Sequence, residues 1–294
     1  MTRTALQATS DFYQASPGIR AFRLALRTSQ RLWPALAVRA AARLFGTPLP
    51  LKWMNRRKAW DAGWCVERWP FEDAGITVYQ PGAAPHGPIA LLVHGWGGHA
   101  GQMLALADAV SQQGLRPVLV EMPAHGASPG TASNLPQFAR VIDYVAQRLQ
   151  HEGHSLGALI AHSLGASAAA YVASRGLAVQ RLVLLAPAAS PREYTRLFAQ
   201  VFGLSEATRS AMQKRFEARE GVLMPQFEPD AVGPRMRVPT LVVHDRQDSI
   251  NRFADGQAFA HAVRGAQLLA TEGLGHRKLL KDAQVLGRVA LFVR

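Results

Sequence analysis

Cysteine is nearly missing from this chain. Cys65 is the single example in 294 residues, which excludes an internal disulfide and any multi-cysteine metal site, and fits a reducing compartment. No uncharged apolar run approaches the roughly 18 residues that suggest a membrane-spanning helix. Arginines interrupt the N-terminus every few residues, so the apolar block and cleavage site of a secretory signal are absent, and the cytoplasm is the expected location. There is no internal repeat or low-complexity tract. No Gly-Lys-Ser/Thr follows the glycine-rich segments, which argues against a phosphate cradle. The histidines show no metal-ligand spacing with cysteine or with one another, so neither a metal nor an organic cofactor is expected. What is present is 48% hydrophobic residues, enough to bury a full sheet between two helical layers in one large domain.

Acidic residues are scarce at one end. Residues 1–60 carry eleven Arg and Lys against Asp11 alone, a charge of +10, and the remaining 234 residues contribute +3 to the total of +13. From Pro17 onward, Ile19, Phe22, Leu26 and Trp33 alternate with Arg20, Arg23, Arg27 and Arg31, the pattern of an amphipathic helix with a basic face. Two arrangements fit it. The helix can lie on an anionic membrane surface, or it can dock on the large domain that follows it and leave its arginines solvated, which is the expectation adopted. Nucleic acid is not an expected partner, since no binding motif or stacking platform accompanies the arginines.

The tetrapeptide His-Ser-Leu-Gly occurs twice within twelve residues, at 154–157 and 162–165. Each copy could be a nucleophile elbow, where a strained turn between a buried strand and a helix lifts a serine hydroxyl clear of the sheet. The first copy matches G-x-S-x-G letter for letter as Gly153-His154-Ser155-Leu156-Gly157, whereas the second has Ala161 in place of the first glycine. The flanks reverse that preference. Before Ser163 runs the uncharged apolar stretch 156–161, and after it comes Gly165-Ala166-Ser167-Ala168-Ala169-Ala170, with Gly176 as a C-terminal stop. These read as a buried parallel strand followed at once by a close-packed helix. Ser155 instead follows a polar connection after helically spaced Phe138, Val141, Ile142, Val145 and Leu149. It therefore starts a strand, and Ser163 is the expected nucleophile.

Partners for that serine lie in the right kinds of place. Residues 88–93 are strand-like and lead into His94-Gly95-Trp96-Gly97-Gly98-His99, a loop able to aim backbone N–H groups at a developing oxyanion. The N–H groups of Trp96 and Leu164 are the expected donors. Residues 239–244 read as another buried strand, followed by Asp245-Arg246-Gln247-Asp248, and Gly273-Leu274-Gly275-His276 follows a short strand at 268–270. A serine hydroxyl needs a histidine to take its proton and a carboxylate to hold the imidazole in the correct tautomer. Ser163, His276 and Asp248 are assigned those roles, with Asp245 the alternative acid. The order Ser, Asp, His is that of one particular fold among the several that carry the three groups.

At these residues the chain resembles the α/β-hydrolase superfamily, and within it the bacterial serine esterases and monoacylglycerol-lipase-like hydrolases. The matching segments are His94-Gly95-Trp96-Gly97-Gly98, Pro123-Ala124-His125-Gly126-Ala127-Ser128, Ala161-His162-Ser163-Leu164-Gly165, His244-Asp245-Arg246-Gln247-Asp248 and Gly275-His276, across about residues 74 to 292. By position Asp248 matches the family's acid. Glu121 stands where relatives carry an aspartate, and both it and His125 are read as structural. The resemblance implies an α/β-hydrolase fold: a mostly parallel, doubly wound sheet flanked by helices, with a helical lid inserted after strand 6. The expected layout is a basic helical extension over 1–60 and a catalytic domain over 61–294. Within it 191–236 forms the lid, where Tyr194, Leu197, Phe198, Val201, Phe202, Met212 and Phe216 mark amphipathic helices. The expected activity is hydrolysis of a small carboxylic ester through an acyl-enzyme. Acyl transfer, thioester cleavage and perhydrolysis would use the same residues, and a binding protein that keeps the fold without turnover is the alternative from another class.

Overall fold

The computed structural model describes residues 17–48, 60, 62–83 and 87–294, with side chains from residue 23 onward. Ile19, Arg20 and Phe22 of the basic helix, and much of the 1–60 extension, therefore lie outside the residues whose side chains are described.

Among the described residues, eight strands form one sheet: β1 (Trp64–Trp69), β2 (Ile76–Pro81), β3 (Ile89–Val93), β4 (Arg116–Glu121), β5 (Leu156–His162), β6 (Arg181–Leu185), β7 (Thr240–Asp245) and β8 (Gln267–Thr271). Their order is β1-β2-β4-β3-β5-β6-β7-β8. The β1–β2 and β2–β4 pairs are antiparallel and all others are parallel. Strands β3 and β5 are buried at every position, because helices cover both faces of a parallel sheet and leave no polar side. Around the sheet lie the helices at Leu104–Ser111, Leu135–His151, Leu164–Ser174, Phe253–Ala262 and Ala283–Val293. Leu92, Leu119, Ile160, Val183 and Val243 meet Met103, Leu106, Val285 and Val289 in the main core. A parallel sheet brings every β-to-α connection to one edge. The loops after β3, β5, β7 and β8 therefore share a rim.

The chain folds as two compact units. The sheet unit comprises Pro48–Ala189 and Phe227–Arg294, and the second comprises Met1–Thr47 and Ser190–Gln226. The described part of the second unit is built from α1 (Pro17–Leu32), α2 (Pro34–Phe45), α6 (Pro191–Phe202) and α7 (Glu206–Glu220), where α3 to α5 denote 104–111, 135–151 and 164–174. Leu26 packs with Val201 and Phe202, and Ala41 packs with Met212 and Phe216. The Phe45 ring meets Phe198 and Phe216 edge-on at centroid distances of 5.2 and 5.5 Å. Gln30 clamps the α6–α7 turn, accepting from the Ser205 N–H at 2.7 Å and donating to the Gly203 carbonyl at 3.2 Å. Ser190 and Ser205 cap α6 and α7 by accepting from the N–H groups of Glu193 and Thr208.

The N-terminal helices were expected to dock on the domain spanning 61–294, and the part of that span they pack on is the pair of helices inserted after β6. The apolar stripe on α1 and α2 finds a matching stripe on α6 and α7, and burial of both supplies the contact. The end of the insertion, 227–236, packs with the sheet unit, where Phe227 stacks on Tyr171 at 4.1 Å.

Candidate active site

Ser163 sits between β5 and α5 with φ 55° and ψ −122°. Such a conformation costs a non-glycine residue of order 1–3 kcal/mol. The surroundings over-determine it. The Ser163 N–H donates to the Leu185 carbonyl at 2.8 Å, and the Ser163 carbonyl accepts from the N–H of Ala166 at 2.9 Å. A Cβ on Gly165 would lie 2.4 Å from the His94 carbonyl oxygen, so only glycine lets α5 start this close to the β3 loop. Ala161, the departure from G-x-S-x-G, is fully buried within β5. Ser155 lies exposed just before the other end of that strand, where its carbonyl accepts from Ile89. The seven residues of β5 separate the two serines, roughly 26 Å over eight steps at the rise of a strand.

The three groups assigned from sequence come together. His276 Nε2 lies 3.0 Å from Ser163 Oγ, and His276 Nδ1 lies 2.7 Å from Asp248 Oδ2. With the carboxylate accepting, Nδ1 carries the proton and Nε2 presents its lone pair to the serine. The Asp248 side chain is fully buried. Its Oδ1 accepts from the N–H groups of Ile250 and Asn251 at 2.8 and 3.0 Å, which fixes the carboxylate plane.

Asp245, the alternative acid, faces other partners. It accepts from the Gln247 N–H at 2.9 Å, the Thr271 hydroxyl at 2.8 Å and the Leu274 N–H at 3.0 Å. Burial pushes its carboxyl up, but those hydrogen bonds outweigh burial and hold it below the usual carboxylate range. It ties the loop bearing Asp248 to the loop bearing His276.

The loop after β3 runs beside the serine. Gly98 N–H closes a turn onto the Gly95 carbonyl at 3.0 Å, and a Cβ on Gly95 would fall 2.7 Å from Ser163 Cβ. Trp96 follows in that turn. Leu164 is the first residue of α5, where a backbone N–H has no intrahelical acceptor. His94 braces the loop: its Nε2 accepts from the Met122 N–H at 3.2 Å, so Nδ1 carries the proton and donates to the Gly95 carbonyl at 2.7 Å. Glu121 holds the neighbouring turn by accepting from the Tyr79 hydroxyl at 2.8 Å, the Ala100 N–H at 3.2 Å and the Ala127 N–H.

Three further side chains enter the site: Asn251 and His244, which sequence did not single out, and His162, read from sequence as a packing and hydrogen-bonding neighbour of the nucleophile. Asn251 is buried; its amide donates to the Ala186 carbonyl at 2.7 Å and lies 3.5 Å from Ser163 Oγ. His244 Nε2 donates to the Asn251 carbonyl at 3.1 Å and stands 3.5 Å from Asp248 Oδ2. His162 Nε2 donates to the His276 carbonyl at 2.9 Å. Burial, with the His276 ring alongside, pushes His162 well below the usual imidazole range, and burial also lowers His244. Both remain neutral struts. Among the described residues, no group of three or more His, Cys, Asp or Glu side chains could hold a metal ion.

The family model described as serine aminopeptidase, S33, matches residues 84–228, a span that holds Ser163 and ends before Asp248 and His276. No curated protein matches the chain. Among solved structures, Est1E from Butyrivibrio proteoclasticus, with ferulic acid bound, superposes with a TM-score of 0.62 at 18% identity over 77% of this chain and 97% of its own. The Pyrococcus furiosus esterase Pf2001 gives 0.60 at 14% identity over 81% and 96%. A membrane phospholipase A, described as a bacterial virulence factor, gives 0.59 at 16% identity over 92% and 94%.

Proposed function

We propose that the chain is an α/β-hydrolase, and that it is a serine hydrolase that cleaves a carboxylic ester through an acyl-enzyme. The observation that carries the proposal is the unbroken relay from Ser163 Oγ through His276 to Asp248, at 3.0 and 2.7 Å. An esterase and a phospholipase A among the structural neighbours direct the choice of bond toward esters.

In this reading Ser163 Oγ attacks the ester carbonyl carbon while its proton passes to His276 Nε2. The imidazolium that forms is stabilised by the ionised carboxylate of Asp248, which keeps its charge throughout. Negative charge moves onto the carbonyl oxygen, where the N–H groups of Leu164 and Trp96 receive it. The α5 N-terminus adds its partial positive charge at the same place. Collapse breaks the C–O bond, and the alcohol leaves with the proton that His276 held. Water then attacks the acyl-serine, gives its proton to the same ring, and the acid leaves as Ser163 is reprotonated.

Asn251 has a positioning part. Its amide donates to the Ala186 carbonyl at 2.7 Å and its nitrogen stands 3.5 Å from Ser163 Oγ, so the side chain braces the turn beside the serine. The helices at 191–220, inserted after β6, serve as the lid and shape acyl or alcohol selectivity; their place in the chain supports that assignment.

The test is pre-steady-state hydrolysis of p-nitrophenyl esters of increasing chain length. The expected result is a burst of p-nitrophenol approaching one equivalent per chain, lost in Ser163→Ala, with chain length setting the size of the steady-state rate. A Ser163→Ala variant that keeps both burst and turnover would refute the mechanism.

A further inference from the structure

The face of α1 and α2 turned away from Val201, Phe202 and Met212 carries large apolar side chains. Leu24, Leu32, Trp33 and Leu36 are 68, 60, 60 and 58% exposed. Leu24, Thr28 and Leu32 follow one another at four-residue spacing and share one stripe of α1. Trp33 joins the two helices, with its N–H on the Ser29 carbonyl at 2.7 Å and its carbonyl accepting from Ala37 at 3.0 Å. Leu36 stands three residues later, in the first turn of α2. Water-facing apolar groups so concentrated are uncommon on a soluble surface without a partner.

Charge identifies the partner. Arg27, Arg31, Arg39 and Arg43 are exposed along the same two helices, and residues 17–48 contain no Asp or Glu. We infer that this face is a docking surface for an anionic lipid bilayer, with Leu24, Leu32, Trp33 and Leu36 entering the interface. The arginines extend from their apolar stems to the headgroup phosphates. Tryptophan is favoured at that depth, with one part of its ring apolar and its N–H still hydrated. Leu26 and Ala41, buried against α6 and α7, are not available to lipid, so the helices stay packed on their own unit and lie flat. No described helix is long and apolar enough to cross a membrane. The contact is therefore a surface one, and each arginine near the bilayer contributes about fivefold in partition.

The experiment is co-sedimentation of the full chain with sucrose-loaded vesicles of 7:3 phosphatidylcholine and phosphatidylglycerol, against pure phosphatidylcholine, at low and moderate salt. Binding is expected only to the anionic vesicles, weakening with salt. Trp33→Ala/Leu36→Ser should lower the partition coefficient at least tenfold, and Arg31→Gln/Arg39→Gln about 25-fold, with the circular dichroism of both unchanged. Point variants replace a deletion of the helices, which would strip α6 and α7 of their packing partners. Absence of binding to anionic vesicles at low salt, or wild-type binding by both variants, overturns the inference. A lipid-free dimer that Trp33→Ala dissociates, or retention on duplex DNA, without vesicle binding in either case, would overturn it in favour of self-association or nucleic acid.

Discussion

Replacing Asp248 by Asn tests the relay at the bond most constrained by its surroundings. Two backbone N–H groups, of Ile250 and Asn251, point at Oδ1 at 2.8 and 3.0 Å. In the variant the amide oxygen must take that position, since an NH2 group there would face two donors. The NH2 group is then turned toward His276 Nδ1. A ring nitrogen meeting a donor must accept, so the proton moves to Nε2, the atom that has to receive the proton of Ser163. Catalysis stops for want of a lone pair at the right place, although almost no geometry changes. The same substitution in a serine-protease triad drops kcat about 10⁴-fold, which corresponds to roughly 5.4 kcal/mol at about 1.36 kcal/mol per decade. The fold should hardly notice, because the bonds from Ile250 and Asn251 survive. The assay is p-nitrophenyl ester turnover beside urea unfolding: a loss of about four decades in kcat with stability changed by under about 1 kcal/mol is expected. A variant with more than a tenth of wild-type turnover would refute the reasoning, and a matching collapse caused by Asp245→Asn alone, with its stability intact, would move the acid to Asp245.

Gly95→Ala places a methyl 2.7 Å from Ser163 Cβ, so the loop must retreat from the serine; loss of one oxyanion donor costs 10²- to 10³-fold in kcat, and a change under tenfold in ester turnover would show that the loop donates nothing. His162 and His244 are held below their ordinary range by burial, so below about pH 6.5 the unfolded chain takes up protons that the folded one refuses. Stability should fall as pH drops from 7.5 to 5.5, by at most about 2.7 kcal/mol per pH unit for the two groups together. Asp255, whose carboxyl burial pushes up, protonates earlier in the folded state and opposes that loss toward the carboxylate range. Urea midpoints at three pH values measure the slope, and a stability that is flat or rises on acidification would contradict the neutral assignments. Leu26→Ala, in the contact between α1 and α6, should cost about 2–5 kcal/mol; an unchanged thermal midpoint would mean that the N-terminal helices add nothing to the unit they pack in.

The elbow was legible because its signals are local. A short uncharged apolar run that starts after a polar connection reads as a covered strand, small residues after it permit close helix packing, and both conditions select Ser163 over the better motif match at Ser155. The loop after β3 and the acid and histidine loops were legible for the same reason, since parallel strands deliver their C-terminal ends to one rim. Asn251 was not. Its partner is the Ala186 carbonyl, 65 residues away in sequence, and an asparagine in a polar loop carries no mark of such a bond. Its one signal was proximity to Asp248, whose carboxylate organises the next three residues. The His162 bond to the His276 carbonyl spans 114 residues and was equally silent. The pairing of α1 and α2 with the insertion helices shows the limit most plainly. Periodicity shows which face of a helix is apolar, not which of two apolar surfaces will cover it.

The central claim is tested most directly by reaction with a fluorophosphonate followed by fragmentation mass spectrometry of the peptide that contains both His-Ser-Leu-Gly copies. One equivalent of label on Ser163, abolished by prior denaturation, is the predicted result. Label on Ser155 with Ser163 unmodified, or no label on the folded chain, would contradict the account.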